Sequence, residues 1–347
     1  QLGVPVPKTH CSDNLEEALA KTQDFRFPVA LKPRGNSLHA TTLNQLGFKV
    51  KYARTPAELE QLLRSLQPGG VLPMVQEYVY GVGVCVAALF ERGRPVVLLP
   101  YQRVRELPLT GGVSVLRRTL PCDQRLETYV AHLLQAKQWH GAAMVEFKFD
   151  PANDRYTLME INGRFPASTA LSLDAGVNLP YFAYCLYAGL PLPRNQVRYR
   201  IDVQERWLRG DFLALLTHLR GTTWQEAMPE ARATLPSRKR ATRDFLVDFR
   251  SGMHYDEFKW YDPLPGAIET LQWLRSLALG SLKPPLRPLR RWHRRLAGSH
   301  HAVAAGRGPA RRWLPVSQAK LAAAGSDSGE AGQPESAAEQ PIQPTLR

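Results

Sequence analysis

The sequence lacks the features of a membrane-spanning or disulfide-stabilised protein. Its longest apolar stretch, residues 71–90, is interrupted by Gln76 and Glu77, so no segment reaches the about 18–20 apolar residues that a membrane helix needs. The four cysteines include no CxxC pair, which argues against a zinc knuckle or a disulfide framework. We therefore expect a cytoplasmic protein whose cysteines are reduced and buried as small apolar side chains.

We also expect neither a signal peptide in this sequence nor a histidine cluster that could serve catalysis. It begins with Gln1 rather than Met, and no basic start is followed by an apolar run. This beginning predicts that the chain is the remainder of a longer protein. The pair His300 and His301 lies in a segment of low apolar content, so we assign it no role.

What the sequence does have is length and positive charge. Its 347 residues, 44% of them hydrophobic, suffice for two domains with a real core. The net charge is +14, and residues 283–320 hold ten Lys and Arg, no acid, and both Trp292 and Trp313. We predict a disordered basic tail over residues 283–347, because its apolar content is too low to offset ordering entropy. A solvated tail and a tail that binds nucleic acid or an anionic membrane are both open at this point.

Residues 1–190 alternate strand-like and helix-like patterns, which is typical of a mixed α and β domain. One helix is predicted from Thr55 to Leu66, because Thr can cap, the next residue is Pro, and Glu follows three residues after the cap. A second is predicted from Asp123 to Gly141, with an apolar stripe at helical spacing. Residues 194–280 are predicted to form a helical accessory segment.

The most informative pattern is a predicted β-hairpin. In residues 143–150, apolar and polar positions alternate, so Glu146 points away from the face that its Phe neighbours bury. Residues 150–155 supply turn residues, and residues 156–162 resume the alternation with Glu160 and Asn162 on one face.

A register that pairs Asp150 with Tyr156 would place Glu146 opposite Glu160. Two opposed carboxylates repel each other, and a bound cation removes the conflict. Oxygen donors from Glu146, Glu160 and Asn162 suit Mg²⁺ or Mn²⁺, which also accepts phosphate oxygens. Arg164 follows closely and can reach a phosphate or acyl phosphate. The alternative is a solvent-facing hairpin with ordinary surface acids.

Residues 144–150 and 158–164 resemble the metal-binding hairpin of the ATP-grasp superfamily, which includes carbamoyl-phosphate synthetase, biotin carboxylase and D-alanine ligases. The resemblance covers about residues 1–190 and is closest to the bacterial carboxylate-amine ligases. It implies an α+β fold of two lobes that hold ATP between antiparallel sheets. The implied domains are an N-terminal lobe over residues 1–72 with its upstream domain missing, a C-terminal lobe over 73–193, the accessory segment over 194–282, and the tail.

The resemblance assigns further residues to the nucleotide. Lys32 would place its ammonium over the α and β phosphates. Gln76 would meet the adenine amine, while Glu77 and Val79 would offer backbone hydrogen bonds. Two departures stand out: Gly83 occupies the position of a ribose-binding acid in several relatives, and residues 34–37 replace a richer glycine loop.

Residues 103–114 combine two arginines with a Gly-Gly turn, a composition suited to clamping an anion. We predict that Arg105, Gly111 and Gly112 form part of a phosphate or substrate cradle. A plain surface loop is the alternative.

The implied reaction is the activation of a small substrate carboxylate by ATP. The carboxylate attacks the γ-phosphate to give an acyl phosphate and ADP, and an amine or similar nucleophile then displaces the phosphate. Metal-binding acids, Lys32 and Arg164 suffice for this chemistry, because phosphoryl transfer needs positioning and charge neutralisation. A non-catalytic or partner-dependent ATP-binding module is the alternative, motivated by Gly83 and by the missing upstream lysine of the family.

Overall fold

The computed structural model describes residues 2–34, 50–67, 71–109, 111–192, 198–221, 235–259 and 261–278. Residues 1–275 form one compact unit. The predicted loop at residues 35–37, Thr110 and the predicted basic tail with its two histidines lie outside the described residues.

The secondary structure elements alternate between strands and helices along the first two thirds of the chain. The strands are Thr9–His10 (β1), Val29–Lys32 (β2), Lys51–Ala53 (β3), Met74–Glu77 (β4), Val82–Glu91 (β5), Arg94–Leu107 (β6), Val113–Thr119 (β7), Gly141–Asp150 (β8), Arg155–Asn162 (β9), Gln204–Arg206 (β10) and Met253–Tyr255 (β11). The helices are Leu15–Lys21 (α1), Pro56–Leu66 (α2), Gln124–Gln135 (α3), Thr169–Asp174 (α4), Leu179–Ala188 (α5), Leu208–Leu219 (α6), Arg238–Val247 (α7) and Leu264–Ala278 (α8).

The first sheet is antiparallel and has the strand order β1-β4-β2-β3. Val29 and Leu31 of β2 point into a core that α1 and α2 cover with Leu15, Leu59 and Leu63. Each of these short strands and helices has one apolar face, and these faces pack together to form the first core.

The second sheet has the strand order β11-β10-β7-β6-β5-β8-β9, and all its pairs are antiparallel except β10 with β11. It is covered on both faces, because side chains along its central strands alternate between two cores. Val84 and Val145 pack with Val130 of α3 on one face. Cys85, on the other face, packs in a core with Phe182 of α5. The predicted α+β class is confirmed.

Strands extend further along the chain than predicted. β4 belongs to the first sheet, so the division between the sheets lies after Glu77 rather than at residue 72. The region from residue 194 is not purely helical, because β10 and β11 extend the second sheet. Their buried residues form ion pairs with distant parts of the chain. These strands therefore lack the alternation of apolar and polar residues from which a strand is predicted.

The two predicted helix starts are confirmed. Thr55 accepts a hydrogen bond from the backbone N–H of Glu58, whose carboxylate accepts one from the backbone N–H of Arg54. Asp123 caps α3 through the N–H of Arg125. The helix ends at Gln135 rather than Gly141, which begins β8.

The cysteine prediction holds for two positions and is wrong for two. Cys85 and Cys185 are buried, whereas Cys11 and Cys122 are exposed, and all four are free thiols. Among the described residues, every helix is too short or too polar to cross a bilayer.

Candidate functional site

The β8–β9 hairpin brings the predicted oxygen donors together. Glu146 lies directly opposite Glu160, and Met144 lies opposite Asn162. Because opposed residues of an antiparallel pair share a face, Glu146, Glu160 and Asn162 line one side of the hairpin. The predicted opposition of the two carboxylates is therefore confirmed.

The register near the turn differs from the prediction. Asp150 pairs with Arg155 rather than with Tyr156, and an irregularity between Glu146 and Phe147 leaves one extra residue, Met159, on β9. This β-bulge restores the opposition of the two acids. Alternation of apolar residues carries no signal for a single inserted residue, so the bulge could not be predicted.

Glu146 is largely buried, with 19% of its side chain exposed. Nη1 of Arg103 lies 3.0 Å from Oε2 of Glu146, and Nδ2 of Asn162 donates to Oε1 at 3.4 Å. Burial raises the pKa of Glu146 above its ordinary value; the charge of Arg103 opposes this increase and that of Glu160 adds to it. The carboxylate is thus costly to keep charged without a cation beside it.

Lys32 is the last residue of β2 in the first sheet. Burial lowers the pKa of Lys32, and the charges of Glu160 and Glu146 oppose that decrease, so the ammonium is within electrostatic range of both acids. Its Nζ donates to Oε1 of Gln76 at 2.7 Å. The charges of the hairpin acids of the second sheet therefore act on Lys32 of the first sheet.

The predicted adenine-binding residues lie along β4 and the segment that follows it. The Gln76 amide is engaged at both ends, since its Nε2 also donates to Oγ1 of Thr9 at 2.9 Å. The backbone N–H of Glu77 donates to the carbonyl of Lys8, and its side chain accepts from the backbone N–H of Arg26. Gln76 would have to exchange a partner to meet a base.

A cleft of about 650 Å³ opens beside Glu77 and Val79. Its lining also includes residues 6–8 and 26–28, residues of the β8–β9 turn, and Thr157. Lys32, Glu146 and Glu160 are not among its lining residues, so the cleft adjoins the segment after β4 rather than the carboxylates.

The Gly-Gly turn between β6 and β7 is tied to the hairpin by Arg103. Nε of Arg103 bonds Oε1 of Glu106 at 2.7 Å, and its Nη2 donates to the carbonyl of Gly112. Gly111 has φ +124°, and a Cβ on Gly112 would lie 2.2 Å from the Leu107 carbonyl oxygen, so the turn requires glycine at both positions.

Arg105, the predicted cradle arginine, lies elsewhere. Its guanidinium bonds both carboxylate oxygens of Asp211 at 2.7–2.8 Å and one of Asp248 at 2.7 Å. A register shift between Arg103 and Arg105 explains this, because the bulge directs the two side chains to different partners. The arginine that the structure brings to Glu146 is Arg103, which sequence reasoning noted but did not select.

Arg164 is exposed just beyond the hairpin. Its Nη1 donates to the carbonyl of Phe165, and its charge lowers the pKa of Glu146, which places it within range of the same carboxylate. The guanidinium retains further donors for an anionic ligand.

The donor set fits a hard divalent cation of the type that nucleotides carry. Among the described residues there is no group of three or more His, Cys, Asp and Glu that could hold a metal. Two carboxylates and one amide oxygen remain, and Mg²⁺ commonly takes one or two carboxylates and completes its shell with waters and phosphates. The guanidinium of Arg103 already places positive charge against Glu146.

Comparison with known proteins agrees with this arrangement. A family model described as an ATP-grasp in the biosynthetic pathway with the Ter operon matches residues 72–208, which include the whole hairpin. The chain is 24% identical over 210 residues to the carbamoyl phosphate synthase large chain of Methanothermobacter thermautotrophicus, covering 56% of this chain and 19% of that protein. It is 22% identical over 189 residues to the carbamoyl phosphate synthase large chain of Methanobrevibacter smithii, covering 50% of this chain and 17% of that protein. The chain thus spans less than a fifth of the length of these curated relatives.

Solved structures are also similar at low identity. The biotin carboxylase domain of Hydrogenobacter thermophilus 2-oxoglutarate carboxylase has TM-score 0.46 and 16% identity, covering 58% of this chain and 46% of that one. The N5-carboxyaminoimidazole ribonucleotide synthetase of Thermus thermophilus has TM-score 0.43 and 22% identity, and the match covers 57% of this chain and 51% of that one. The family model over residues 72–208 and the similarity to carbamoyl phosphate synthase large chains support assignment of this part of the chain to the ATP-grasp superfamily.

Proposed function

We propose that the chain binds MgATP between its two sheets and uses it to activate a substrate carboxylate as an acyl phosphate. An amine or similar nucleophile would then displace the phosphate, as in a carboxylate-amine ligase. The observation that carries this proposal is the direct opposition of Glu146 and Glu160 on the β8–β9 hairpin.

Each residue has a role that its surroundings support. Glu146, Glu160 and Asn162 would hold the metal ion, since they share a face of the hairpin. Lys32 would hold the α and β phosphates from the opposite sheet. Arg164 would bind the transferred phosphoryl group with its exposed guanidinium.

When bound, the Mg²⁺ ion supplies charge neutralisation at the phosphates. The protein's own contribution is positioning, because phosphoryl transfer requires little covalent help from side chains. Glu77 and Val79 would bind adenine through their backbone groups, and the cleft beside them leaves room for a ring. The Gly111-Gly112 turn would form part of the phosphate or substrate cradle, although the N–H of Gly111 already donates to the carbonyl of Pro108.

The division into lobes is part of this proposal. The first sheet would form the N-terminal lobe and the second sheet the C-terminal lobe, with residues 194–282 as an accessory segment attached to the second sheet through β10 and β11.

The test is calorimetric titration of MgATP into the wild-type chain and into Glu160→Ala. Glu160 is exposed, so its removal should leave the melting temperature nearly unchanged while affinity falls at least tenfold. Glu127→Ala is the matched control, since Glu127 is an exposed carboxylate on α3, on the other face of the sheet. Equal affinity in the wild type and Glu160→Ala would contradict the metal assignment.

A second candidate is an ATP-binding module without ligase activity of its own. Gly83 favours it, because the position expected to hold a ribose-binding acid is crossed by the Arg103 side chain, whose Cδ would lie 2.8 Å from an added Cβ. Tight MgATP binding without ADP release in a screen of carboxylates and amines would support this candidate over the ligase.

A further inference from the structure

Arg103 holds three parts of the site at once. Its Nη1 contacts Glu146 at 3.0 Å, its Nε contacts Glu106 at 2.7 Å, and its Nη2 bonds the Gly112 carbonyl. The side chain is 18% exposed, so it is largely buried among these partners. It therefore links the metal-ligand strand β8 to the Gly-Gly turn.

Gly83 makes this reach possible. Gly83 lies on β5 between β6 and β8, opposite Lys148, and a Cβ there would sit 2.8 Å from Cδ of Arg103 and 3.3 Å from its Cβ. Any side chain at residue 83 would push the arginine aside. Glycine rather than an acid at this position thus leaves the space through which the Arg103 side chain crosses the strand.

The contact between Arg103 and Glu146 cannot persist unchanged when a divalent cation binds. Oε2 of Glu146 accepts the Nη1 bond, and Oε1 is approached by the Asn162 amide. A cation bound at Oε2 of Glu146 takes the place of Nη1 and repels the guanidinium. Nη1 then becomes available beside the metal, while Glu106 keeps the other edge of the guanidinium in place.

We propose that Arg103 occupies the place of the cation at Glu146 in the free protein and turns to bind an oxyanion once the cation is there. The oxyanion would be the carboxylate or transferred phosphoryl group of the substrate, which a planar guanidinium suits. Arg105 is not available for this task, because Asp211 and Asp248 hold it. The inference rests on the proposed function and adds an anion subsite to it.

The first test measures the binding of Mn²⁺ alone to the full chain by electron paramagnetic resonance. Arg103→Met removes the internal cation, so Mn²⁺ should bind roughly three- to tenfold more tightly than to the wild type. Arg103→Lys should lie between the two. A purely structural role for Arg103 predicts the opposite, a loosened site with weaker Mn²⁺ binding.

Gly83→Ala provides a second route to the same result, since it keeps the arginine but displaces it. It should also tighten Mn²⁺ binding, and it decides the question if Arg103→Met does not fold. Arg125→Met is the control, because Arg125 pairs with Asp123 at the start of α3 and with Asp154 in the turn of the hairpin.

The second test titrates inorganic phosphate into the protein saturated with Mn²⁺ and ADP. Phosphate affinity should fall about tenfold in Arg103→Met and partly recover in Arg103→Lys. Unchanged Mn²⁺ and phosphate affinities in Arg103→Met, in a chain whose wild type binds MgATP, would overturn this inference and leave the proposed function standing. Failure of the wild type to bind MgATP would instead overturn the proposed function, while the Mn²⁺ comparison would still report on Arg103.

Discussion

Individual charged residues in the second sheet are balanced by partners on neighbouring strands. Arg103 lies opposite Arg117, a pairing that would be repulsive if it were isolated. Arg117 is 3% exposed and lies 3.0 Å from Glu205 and 2.7 Å from Asp256. Arg103 is balanced separately by Glu106 and Glu146. Each arginine therefore has its own pair of carboxylates, which allows two cations to lie side by side.

Glu205 should make stability depend on pH. It is fully buried, and burial raises its pKa well above the ordinary value; the charge of Asp256 adds to the increase and that of Arg117 opposes it. The folded state then binds more protons than the unfolded state between the ordinary and the raised pKa. Its stabilising contribution is present at low pH and is lost as pH rises through the folded pKa, by at most about 1.4 kcal/mol per pH unit.

The check is urea unfolding of the wild type and Glu205→Gln across that pH range. The wild type should lose free energy of unfolding relative to Glu205→Gln as pH rises, because the amide cannot ionise. Glu60→Gln, at an exposed position, should track the wild type at every pH. A constant difference between the wild type and Glu205→Gln would show that Glu205 ionises normally.

Single site residues were predictable where one local pattern determined them. The alternation in β8 and β9 was enough to oppose Glu146 and Glu160, even though the bulge at Met159 was not foreseen. The choice between Arg103 and Arg105 was not predictable, because residues two apart share a face only on a regular strand. The register shift that separates these two depends on β7, which spacing along β6 does not reveal.

At the scale of whole elements, a buried ion-pair group joins β6, β10, α6 and α7. Asp211 is 2% exposed at its side chain and accepts from Arg105 and from Nε of Arg206 at 2.6 Å. Arg206 is fully buried and stacks on Phe245 and Phe249 at 4.3 and 4.6 Å from the ring centres. These contacts attach the accessory segment to the second sheet.

Asp211→Ala should therefore destabilise the protein strongly. It leaves two guanidinium groups without their shared carboxylate, and breaking a buried pair in this way costs about 3–5 kcal/mol. Asp211→Asn should cost less, since it keeps an acceptor. Glu269→Ala is the control: its partner Arg209 is 30% exposed, so chemical denaturation should show a loss of at most about 1 kcal/mol. Equal losses in the Ala and control variants would contradict the role of this group.

The contrast between α2 and β10 shows which elements a sequence reveals. The residues that cap the start of α2 lie next to one another in the sequence, so this helix start was predictable. β10 is the three-residue strand Gln-Glu-Arg, and its burial depends on partners 88 residues away in the case of Glu205 and Arg117. Such non-local pairing leaves no period in the strand itself.

Thr55→Ala tests the local signal for α2. Oγ1 of Thr55 accepts from the backbone N–H of Glu58 at 3.2 Å, and loss of such a cap costs about 0.5–2 kcal/mol. Thermal unfolding should show this loss, and Thr55→Ser should recover most of it. Ser65→Ala, near the other end of the same helix, should have a smaller effect. If Thr55→Ser does not recover stability, the hydroxyl is not the cause.

At the scale of the whole molecule, the proposed site draws on both sheets, because Lys32 belongs to the first and Glu160 to the second. Burial lowers the pKa of Lys32, so the unfolded state binds more protons and the free energy of unfolding should rise with pH between the lowered and ordinary values. Lys32→Met should remove this rise and keep the fold at neutral pH. It should also weaken MgATP binding by about tenfold or more, which is the effect of losing one close charge at a phosphate. The exposed Lys21, also in the N-terminal part of the chain, provides the matched Lys21→Met control. In calorimetry, Lys21→Met should bind MgATP with the affinity of the wild type. An equal loss of affinity in both variants would mean that general positive charge, rather than Lys32 itself, attracts the nucleotide.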